Sequence, residues 1–550
     1  MSKRSLSPPP LPPSKRFHSL SGSTAVVTSN FDSALYEELI LLIFSNLSWV
    51  DLCAAQAVNR NWARLALDNG LWKDQYLHVF GRSRLRGAKG FIGRTDGREI
   101  KRLPERAKVD DIKDWRWMFR ISWNWKKAGR CSTEHIEGVL DPPSSGSTPT
   151  STPAHVVLAG SMTIVASSEA SLCPEVHCHV QSAASPKQTL LCGSPRHRQP
   201  FHITALALDQ SPPLSGVLQL AVFLSTGEFL IFAIQQLNPT TSTRKFTYVP
   251  SRSTTRTTPI IQAVYHHPLL ISLSAAFTLS LYDLSSDTIT HTQTLTAYTT
   301  FPPSSLVLSA QTPGNRYKLV LTYAVPIFPV HFSIGVTELI ISGSRVSSPQ
   351  LSSSSSLSSP MSVISTRTAR ALDVPAGWID QEKLRSMKEQ WGRKLLRIQD
   401  TQSDGKWVVL APGEVPPPGS QGPAGATSAA SPYQMSGDSP ASLQLYRLYL
   451  PSVTSVVSPP PKLTFVRYLH HTAGAVSSMA LADGRCVTLG KNGGIWVWDL
   501  ESGTGAEVAP PCRSGDPTLD SVEKGAVAFD DRRIISARAG TLLVRRFDVY

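Results

Sequence analysis

Two spacings of apolar residues divide this chain into a helical front and a β-rich remainder. Between residues 31 and 80, apolar residues recur every three or four positions, which is typical of one face of an α-helix. From about residue 155 onward, short runs rich in Val, Ile, Leu and aromatic residues alternate with Gly, Ser, Asp and Pro, as in β-strands joined by turns. The sequence therefore predicts a small helical region followed by an all-β region.

The first predicted helix carries an apolar stripe on one side. Its members step by four along the chain: Leu35, Leu39, Ile43 and Leu47. Glu37 and Glu38 fall in the first turn, where the positive end of the helix dipole favours acidic side chains. Ser48 and Asp51 have the spacing of a capping box, so one helix is predicted to end there and a second to begin.

Two more short helices are predicted beyond this cap. The apolar face continues through the second helix at Leu52, Ala55 and Val58. A polar turn at 59–61 is predicted before a third helix that carries Trp62 and Leu65. Three short helices in about 40 residues lie near the lower size limit of an independent fold. We therefore predict an interaction module that needs a partner to cover its apolar surface, with a fragment of a larger core as the alternative.

The residues of this module resemble an F-box. The typical F-box reads Leu-Pro-x-Glu-Leu, then Ile-Phe-x-x-Leu, then Asp-Leu, then Val-x-x-x-Trp. In this chain the matching positions are Leu35, Glu38-Leu39, Ile43-Phe44, Leu47, Asp51-Leu52, Val58 and Trp62. Tyr36 stands where proline is usual, and the stretch from Asn69 to Tyr76 resembles the tail of many F-boxes.

The resemblance implies a role in ubiquitination. An F-box docks on the adaptor subunit of a cullin-RING (SCF) ubiquitin ligase, and the rest of the chain holds a protein substrate near the conjugating enzyme. Such a subunit is not itself an enzyme, because it contributes proximity and makes or breaks no bond. The candidate adaptor-binding residues divide between adaptor contact and internal packing: Leu35, Tyr36, Glu38, Leu39, Ile43, Phe44, Leu47, Leu52, Val58 and Trp62.

The β-rich region contains a repeated unit. Seven candidate units have centres near 155–180, 202–235, 258–284, 304–341, 405–450, 462–500 and 522–550. The clearest two units end in Tyr282-Asp283-Leu284 and Trp498-Asp499-Leu500. Four-stranded sheets stacked around an axis bury both faces, which fits strands that are almost continuously apolar. The pattern favours a β-propeller of about seven blades over a β-sandwich, and the aromatic-Asp endings, with Phe547-Asp548, resemble WD repeats.

The predicted fold class is therefore α plus all-β and multidomain. Its segments are a disordered Pro/Ser-rich tail at 1–30, the F-box at 31–80, a basic aromatic helical connector at 81–131, a linker at 132–154, and a WD-repeat-like propeller at 155–550 with a flexible and helical insertion at about 343–440. A helix is predicted in that insertion at 380–400, where apolar residues keep helical spacing: Leu384, Met387, Trp391, Leu395 and Ile398. We expect it to pack on the propeller surface, with a partner-binding helix as the alternative.

Much of the formal net charge of +14 lies in the front quarter of the chain. The connector is basic and dense in aromatic residues, of which Trp115, Phe119 and Trp123 step by four. This spacing favours an aromatic helix face that packs on the propeller. Nucleic-acid binding by phosphate contact and base stacking is one alternative function. A WD-like scaffold that engages no ligase is another.

Composition indicates a reducing compartment. Seven scattered cysteines are an odd number and do not form the dense set of a disulfide-stapled secreted domain. No signal peptide or membrane span is predicted, and two basic pairs, Lys3-Arg4 and Lys15-Arg16, form a weak nuclear import signal. The expected location is cytoplasmic, nuclear or both.

No cofactor or metal is predicted. Cys173, His177, Cys178 and His179 are close in sequence, but their spacing differs from the two separated ligand pairs of zinc sites. The motifs of phosphate loops, zinc proteases and serine hydrolases are missing from the sequence. The expected partners are the ligase adaptor and a protein substrate, with a phosphorylated substrate as one alternative, and no membrane.

Overall fold

A computed structural model shows two compact units, Met1–Gln75 and Tyr76–Tyr550. The structure describes residues 35–89, 115–126, 130–136, 154–180, 188–193, 198–211, 216–235, 241–250, 258–286, 288–297, 300–311, 316–327, 330–343, 361–372, 377–414, 442–450, 460–470, 474–482, 484–511, 525–530, 532–538 and 540–548, with side chains for all but 81–89. The predicted disordered tail at 1–30 lies outside the described residues.

The first unit is built from short helices, as predicted. They are α1 (Glu37–Ser45), α2 (Trp49–Ala55), α3 (Arg60–Ala66) and the beginning of α4 (Asn69–Lys89). Their shared core consists of buried side chains: Ile40, Phe44, Leu52, Leu65, Leu71 and Trp72. Phe44 meets Trp62 edge to face, with ring centroids 5.3 Å apart. The Gln75 amide donates a hydrogen bond to the Leu47 carbonyl at 2.6 Å, which ties α4 to the end of α1.

Side-chain caps fix where α2 and α3 begin. Ser48 accepts a hydrogen bond from the Asp51 N–H at 3.3 Å and donates one to the Asp51 carboxylate at 2.7 Å, so the predicted start of a second helix at Ser48 is confirmed. The Asn59 side chain accepts from the Trp62 N–H at 2.8 Å. The predicted polar turn at 59–61 is wrong for Arg60 and Asn61. These two residues already belong to α3, which begins directly after the Asn59 cap.

Replacing Asn59 with alanine is expected to loosen α3. The Trp62 N–H loses its acceptor, which costs about 1 kcal/mol and speeds amide exchange in α3 roughly fivefold. Hydrogen exchange of the full-length protein, read by mass spectrometry, measures this change. Asn59→Ser keeps an acceptor oxygen and is the matched control. Equal exchange rates in the two variants would contradict the capping role.

The described strands of the second unit form seven four-stranded antiparallel sheets, the blades of a propeller. Blade 1 consists of β2 (Ala154–Ala159), β3 (Met162–Ser167), β4 (Glu175–Val180) and β5 (Gln188–Leu191); blade 2 of β6 (Ile203–Leu208), β7 (Val217–Leu224), β8 (Phe229–Gln235) and β9 (Thr243–Tyr248); and blade 3 of β10 (Ile260–His266), β11 (Leu269–Ser274), β12 (Thr278–Asp283) and β13 (Thr290–Thr296). Blade 4 consists of β14 (Phe301–Gln311), β15 (Arg316–Ile327), β16 (His331–Ser342) and β17 (Ser362–Arg370), and blade 5 of β18 (Ile398–Ser403), β19 (Trp407–Pro412), β20 (Ser442–Tyr449) and β21 (Lys462–His470). Blade 6 consists of β22 (Val476–Ala482), β23 (Arg485–Gly490), β24 (Ile495–Asp499) and β25 (Thr504–Ala509), and blade 7 of β26 (Ala526–Phe529), β27 (Arg533–Arg538), β28 (Thr541–Arg546) and β1 (Ser132–Ile136).

Each blade packs on both of its neighbours. Leu220 of blade 2 lies in one apolar cluster with Ile164 of blade 1, and Ala221 on the other side of the same strand lies in a cluster with Leu270 of blade 3. Comparable clusters join the remaining neighbours around the ring. Because both faces of a blade are buried, its central strands have no polar face. The seven sheets, each buried on both faces, confirm the predicted β-propeller rather than the β-sandwich alternative.

The ring closes through a strand from the front of the chain. β1 pairs with β28 in antiparallel register, from Ser132 opposite Arg546 to Ile136 opposite Leu542. The predicted linker at 132–154 is therefore wrong at 132–136, and the propeller does not begin at 155. The strand was missed because its sequence, Ser-Thr-Glu-His-Ile, is mostly polar and exposed.

The predicted insertion at 343–440 is also wrong in part. It contains β17 of blade 4 and β18 and β19 of blade 5. β17 is an outermost strand whose side chains, apart from buried Ala369, are exposed or half-buried, so it lacks the apolar run by which strands were recognised. The predicted helix is present as α6 (Gln381–Gly392), but Leu395 pairs with Phe332 and Ile398 begins β18. The structure describes all of α6, and none of its side chains is buried.

The aromatic part of the connector packs within the second unit. It forms α5 (Trp115–Asn124), and the following Trp125 stacks on Phe547 with ring centroids 4.4 Å apart. The Asn124 amide donates to the Phe547 carbonyl at 2.9 Å, and Phe119 is buried. The predicted packing on the propeller is confirmed for this part, and residues 90–114 of the connector lie outside the described residues.

Candidate protein-docking site

The first unit exposes large apolar side chains. Those that are exposed on the first two helices and just beyond the second are Tyr36, Leu39, Leu42, Ile43, Val50 and Val58, whereas exposed Leu67 stands apart after α3. Isolated exposed apolar residues are ordinary, whereas a cluster on a module this small marks an interaction surface. In α1, Leu39, Leu42 and Ile43 lie on one side of the helix, and Ile40 and Phe44 point into the core. We call the exposed side of α1 the docking face.

The structure sorts the predicted adaptor-binding residues by burial. Exposed are Tyr36, Glu38, Leu39, Ile43 and Val58; half-buried are Leu35, Leu47 and Trp62; buried are Phe44 and Leu52. The two buried residues support the fold, so only the others are available to a partner. Leu42 and Val50 are exposed and were missed, because they fall outside the four-residue stripe and the family pattern.

Tyr36 keeps the backbone shape that proline would give. It is the N-cap of α1 with φ −69°, which is within the range of proline. Its carbonyl accepts hydrogen bonds from the N–H groups of Leu39 and Ile40 at 3.0 and 3.2 Å. The substitution therefore changes the exposed side chain at the docking face and leaves the helix start intact.

An ion pair holds the beginning of α1 against α3. Arg64 donates a hydrogen bond to the Glu37 carboxylate, and this contact keeps the pKa of Glu37 below its usual value. Together with the Phe44–Trp62 contact, the pair presents the docking face on a fixed frame.

The propeller has two faces with different contents. Because neighbouring strands run antiparallel, the loops between the first and second strands of each blade lie at the end opposite to the loops between the second and third. Trp125 contacts Arg485 and Phe529 beside first-to-second loops, so α5 lies at this end, the α5 face. The connection from β17 to β18 contains α6 and lies at the other end, the α6 face.

A small polar cavity lies where the first strands of blades 1 to 5 meet. Its volume is about 220 Å³, and its polar lining consists of His155, Gln262, Ser305 and Gln402. His155 Nε2 lies 2.9 Å from the Ser168 hydroxyl and 3.3 Å from the Ile203 carbonyl. These hydrogen bonds tie the His155 imidazole to neighbouring groups of the propeller.

Two of the cysteine thiols in blade 1 are buried. Burial raises the pKa of Cys178 and Cys192 to about 12, so both thiols stay protonated near neutral pH. Among the described residues, no three His, Cys, Asp or Glu side chains come close enough to hold a metal ion. No helix in the described ranges combines the length and apolar character that crossing a membrane requires.

Two protein families match different parts of the chain. The family described as F-box-like matches residues 37–78, and the family described as F-box protein pof12 beta-propeller matches residues 177–516, more than half of the chain. The chain belongs to the pof12 propeller family of F-box proteins. The predicted F-box and propeller are thereby confirmed, and the likeness of individual blades to WD repeats stays a prediction.

Two solved structures are similar to this chain at low identity. The Myceliophteria thermophila Cps50 (Swd1) beta-propeller domain is 10% identical, with 75% of this chain and 98% of that chain covered and a TM-score of 0.37. BamB from Moraxella catarrhalis is 10% identical, with 76% and 98% covered and a TM-score of 0.32. No curated protein sequence matches the chain.

Proposed function

We propose that this pof12-family protein is the substrate-recognition subunit of an SCF-type cullin-RING ubiquitin ligase. The observation that carries the proposal is the union, in one chain, of an F-box with an exposed apolar face and the propeller of an F-box protein family. The F-box docks on a Skp1-like adaptor, and the propeller holds a protein substrate. The subunit raises the local concentration of the substrate and is not catalytic.

The docking face supplies part of the binding free energy. Complete burial of a Leu or Ile side chain contributes about 1.5–3 kcal/mol, and Leu39, Leu42 and Ile43 are each roughly half exposed in the free chain. Association costs at least about 4 kcal/mol in lost freedom of motion. The adaptor must therefore cover a surface wider than α1, and exposed Val50 and Val58 extend the apolar area.

Two further features support this role. Cys178, Cys192 and Cys486 are buried thiols, as is usual in the reducing cytoplasm and nucleus, where we place the protein. Phe119 and Trp125 are buried in the connector, which removes two of the aromatic rings that base stacking on nucleic acid would use.

The test is direct binding of the full-length protein to a purified Skp1-like adaptor. We expect a one-to-one complex with a dissociation constant below about 1 μM, measured by isothermal titration calorimetry. Addition of cullin, RING subunit and charged conjugating enzyme should then transfer ubiquitin to lysines held by the receptor. Failure to form a complex at tens of micromolar would overturn the proposal and favour a scaffold that engages no ligase.

A further inference from the structure

The connection between blades 4 and 5 holds a second cluster of exposed apolar side chains. Its members are Trp378, Ile379, Leu384, Trp391 and Leu396. Trp378 has 87% of its surface exposed, a large uncovered area for an aromatic side chain. Within α6, Leu384, Met387 and Trp391 follow one another at spacings of three and four, so they share one side of the helix. We call this side the α6 stripe.

Specific contacts hold both ends of α6 in place. Asp380 caps the helix by accepting from the Lys383 N–H at 2.8 Å, and the Lys383 ammonium donates to the Trp378 carbonyl at 3.0 Å. Beyond its last turn, Leu395 and Phe332 exchange backbone hydrogen bonds of 2.9 and 2.7 Å. The helix is therefore attached to blade 4 although its apolar stripe is uncovered.

A second attachment reaches blade 5. The Gln444 side chain donates to the Arg393 carbonyl at 2.9 Å, and the Arg393 guanidinium lies 4.5 Å from the centre of the Phe465 ring. Attachment to two blades fixes the direction in which the stripe faces. Such a fixed helix offers a partner a preorganised surface, which lowers the entropic cost of binding.

Basic and acidic side chains lie on different sides of α6. At 100° per residue, Lys383 and Lys388 border it on either side, and Glu382 and Glu389 lie on the opposite side of the helix. Lys394 Nζ lies 4.6 Å from the centre of the Trp391 ring, which adds a positive charge at the end of the stripe. Between 378 and 397 the chain has six basic and three acidic residues. The Lys383 ammonium lies 3.8 Å from the Asp380 carboxylate, which partly compensates its charge. The surface that faces a partner is thus apolar, with a cationic border formed chiefly by Lys388 and Lys394.

We propose that the α6 stripe binds a segment of the protein substrate that combines large apolar side chains with aspartate or glutamate. The inference rests on the proposed function, because it assigns part of the substrate-holding surface of the propeller. Apolar anchors would cover Leu384 and Trp391, and acidic neighbours would pair with Lys388 and Lys394. The stripe lies at the α6 face, so α5 leaves it accessible.

The same charges argue against other occupants. A second copy of the chain would bring two cationic borders together and repel itself. An anionic membrane would attract the lysines, but it would also have to accommodate the Asp380 carboxylate beside Lys383 at the start of α6. An acidic and apolar protein segment satisfies the apolar side chains and the border together.

Selection from a phage-displayed library of random 15-residue peptides on the immobilised full-length protein tests the proposal. We expect the selected peptides to be enriched in acidic and large apolar residues. In fluorescence anisotropy, their affinity should fall at least about tenfold in a Leu384→Glu, Trp391→Glu variant and in a Lys388→Glu, Lys394→Glu variant, which leaves the Lys383 contacts at the start of α6 intact. Added salt should weaken binding to the wild type.

A Glu382→Gln, Glu389→Gln variant is the matched control on the far side of α6 and should bind the peptides as the wild type does. Peptides without an acidic excess, or equal affinity for the stripe variants, would overturn the proposal. So would Trp391-dependent self-association in sedimentation, or Trp391-dependent binding to phosphatidylserine vesicles without peptide binding. Adaptor affinity, measured in parallel, should be unchanged in every variant. If the wild type did not bind the adaptor, that result would count against the proposed function. Peptide binding at α6 would then stand as a separate result.

Discussion

Replacing both Leu39 and Ile43 with aspartate is expected to abolish adaptor binding and leave the first unit folded. The two side chains have 45% and 43% of their surface exposed, so each carboxylate remains in water in the free chain. In the complex, the same carboxylates would be desolvated against an apolar surface without a partner. We expect the affinity to fall at least about a hundredfold, which is roughly 3 kcal/mol.

The matched control for this variant is Leu67→Asp. Leu67 is also apolar and 45% exposed, but it follows α3 and lies outside the docking face. Calorimetry with the adaptor measures affinity, and circular dichroism checks the helices. An equal loss for Leu67→Asp would show a nonspecific effect of added charge. Phe44 is unsuitable for this test because it is 1% exposed, and its removal would unfold the module.

The F-box pattern predicted the module but not the roles of its residues. Apolar side chains occupy both sides of α1, so periodicity shows a helix without showing which side faces the core. The structure places Ile40 and Phe44 inside and Leu39 and Ile43 outside, because α2 and α3 pack on one side only. A helix with two apolar sides in so small a unit is itself a signal that a partner covers one of them.

The propeller was predictable where both faces of a strand are buried. Central strands such as β11, with all six side chains buried, form apolar runs that define the repeat. Outermost strands such as β1 and β17 have exposed positions, and their sequences resemble loops. They are recognisable only from pairing with a central strand, and β1 pairs with a strand about 400 residues away, beyond the reach of local propensity.

The end of α6 illustrates the same limit. Helical spacing continues past Gly392 to Leu395 and Ile398, so the sequence predicts a longer helix. The backbone of Leu395 instead pairs with Phe332, which lies 63 residues earlier in blade 4. A tertiary contact therefore ends the pattern that local periodicity would extend.

The seam where blade 7 meets blade 1 depends on one buried arginine. The Arg533 side chain is 3% exposed and pairs with Asp530 at 2.9 Å within its own blade. Across the seam, its guanidinium donates to the Gly160 carbonyl at 2.7 Å, the Met162 carbonyl at 3.2 Å and the Thr163 hydroxyl at 3.1 Å. These acceptors belong to the β2–β3 hairpin, so Arg533 joins the last blade, which also contains β1, to the first.

Replacing Arg533 with methionine is expected to destabilise the propeller by about 3–5 kcal/mol, because the half-buried Asp530 carboxylate and the hairpin carbonyls lose their guanidinium donor. The expected result is a lower urea midpoint and faster amide exchange on both sides of the seam. Arg533→Lys keeps the charge but has one nitrogen, so it should restore only part of the loss. Arg546 pairs with Asp548 at 3.2 Å with its side chain 31% exposed, and Arg546→Met should cost less than about 1 kcal/mol. Equal costs for Arg533→Met and Arg546→Met would contradict the seam role, since that role requires the burial of the Arg533 guanidinium and not its charge alone.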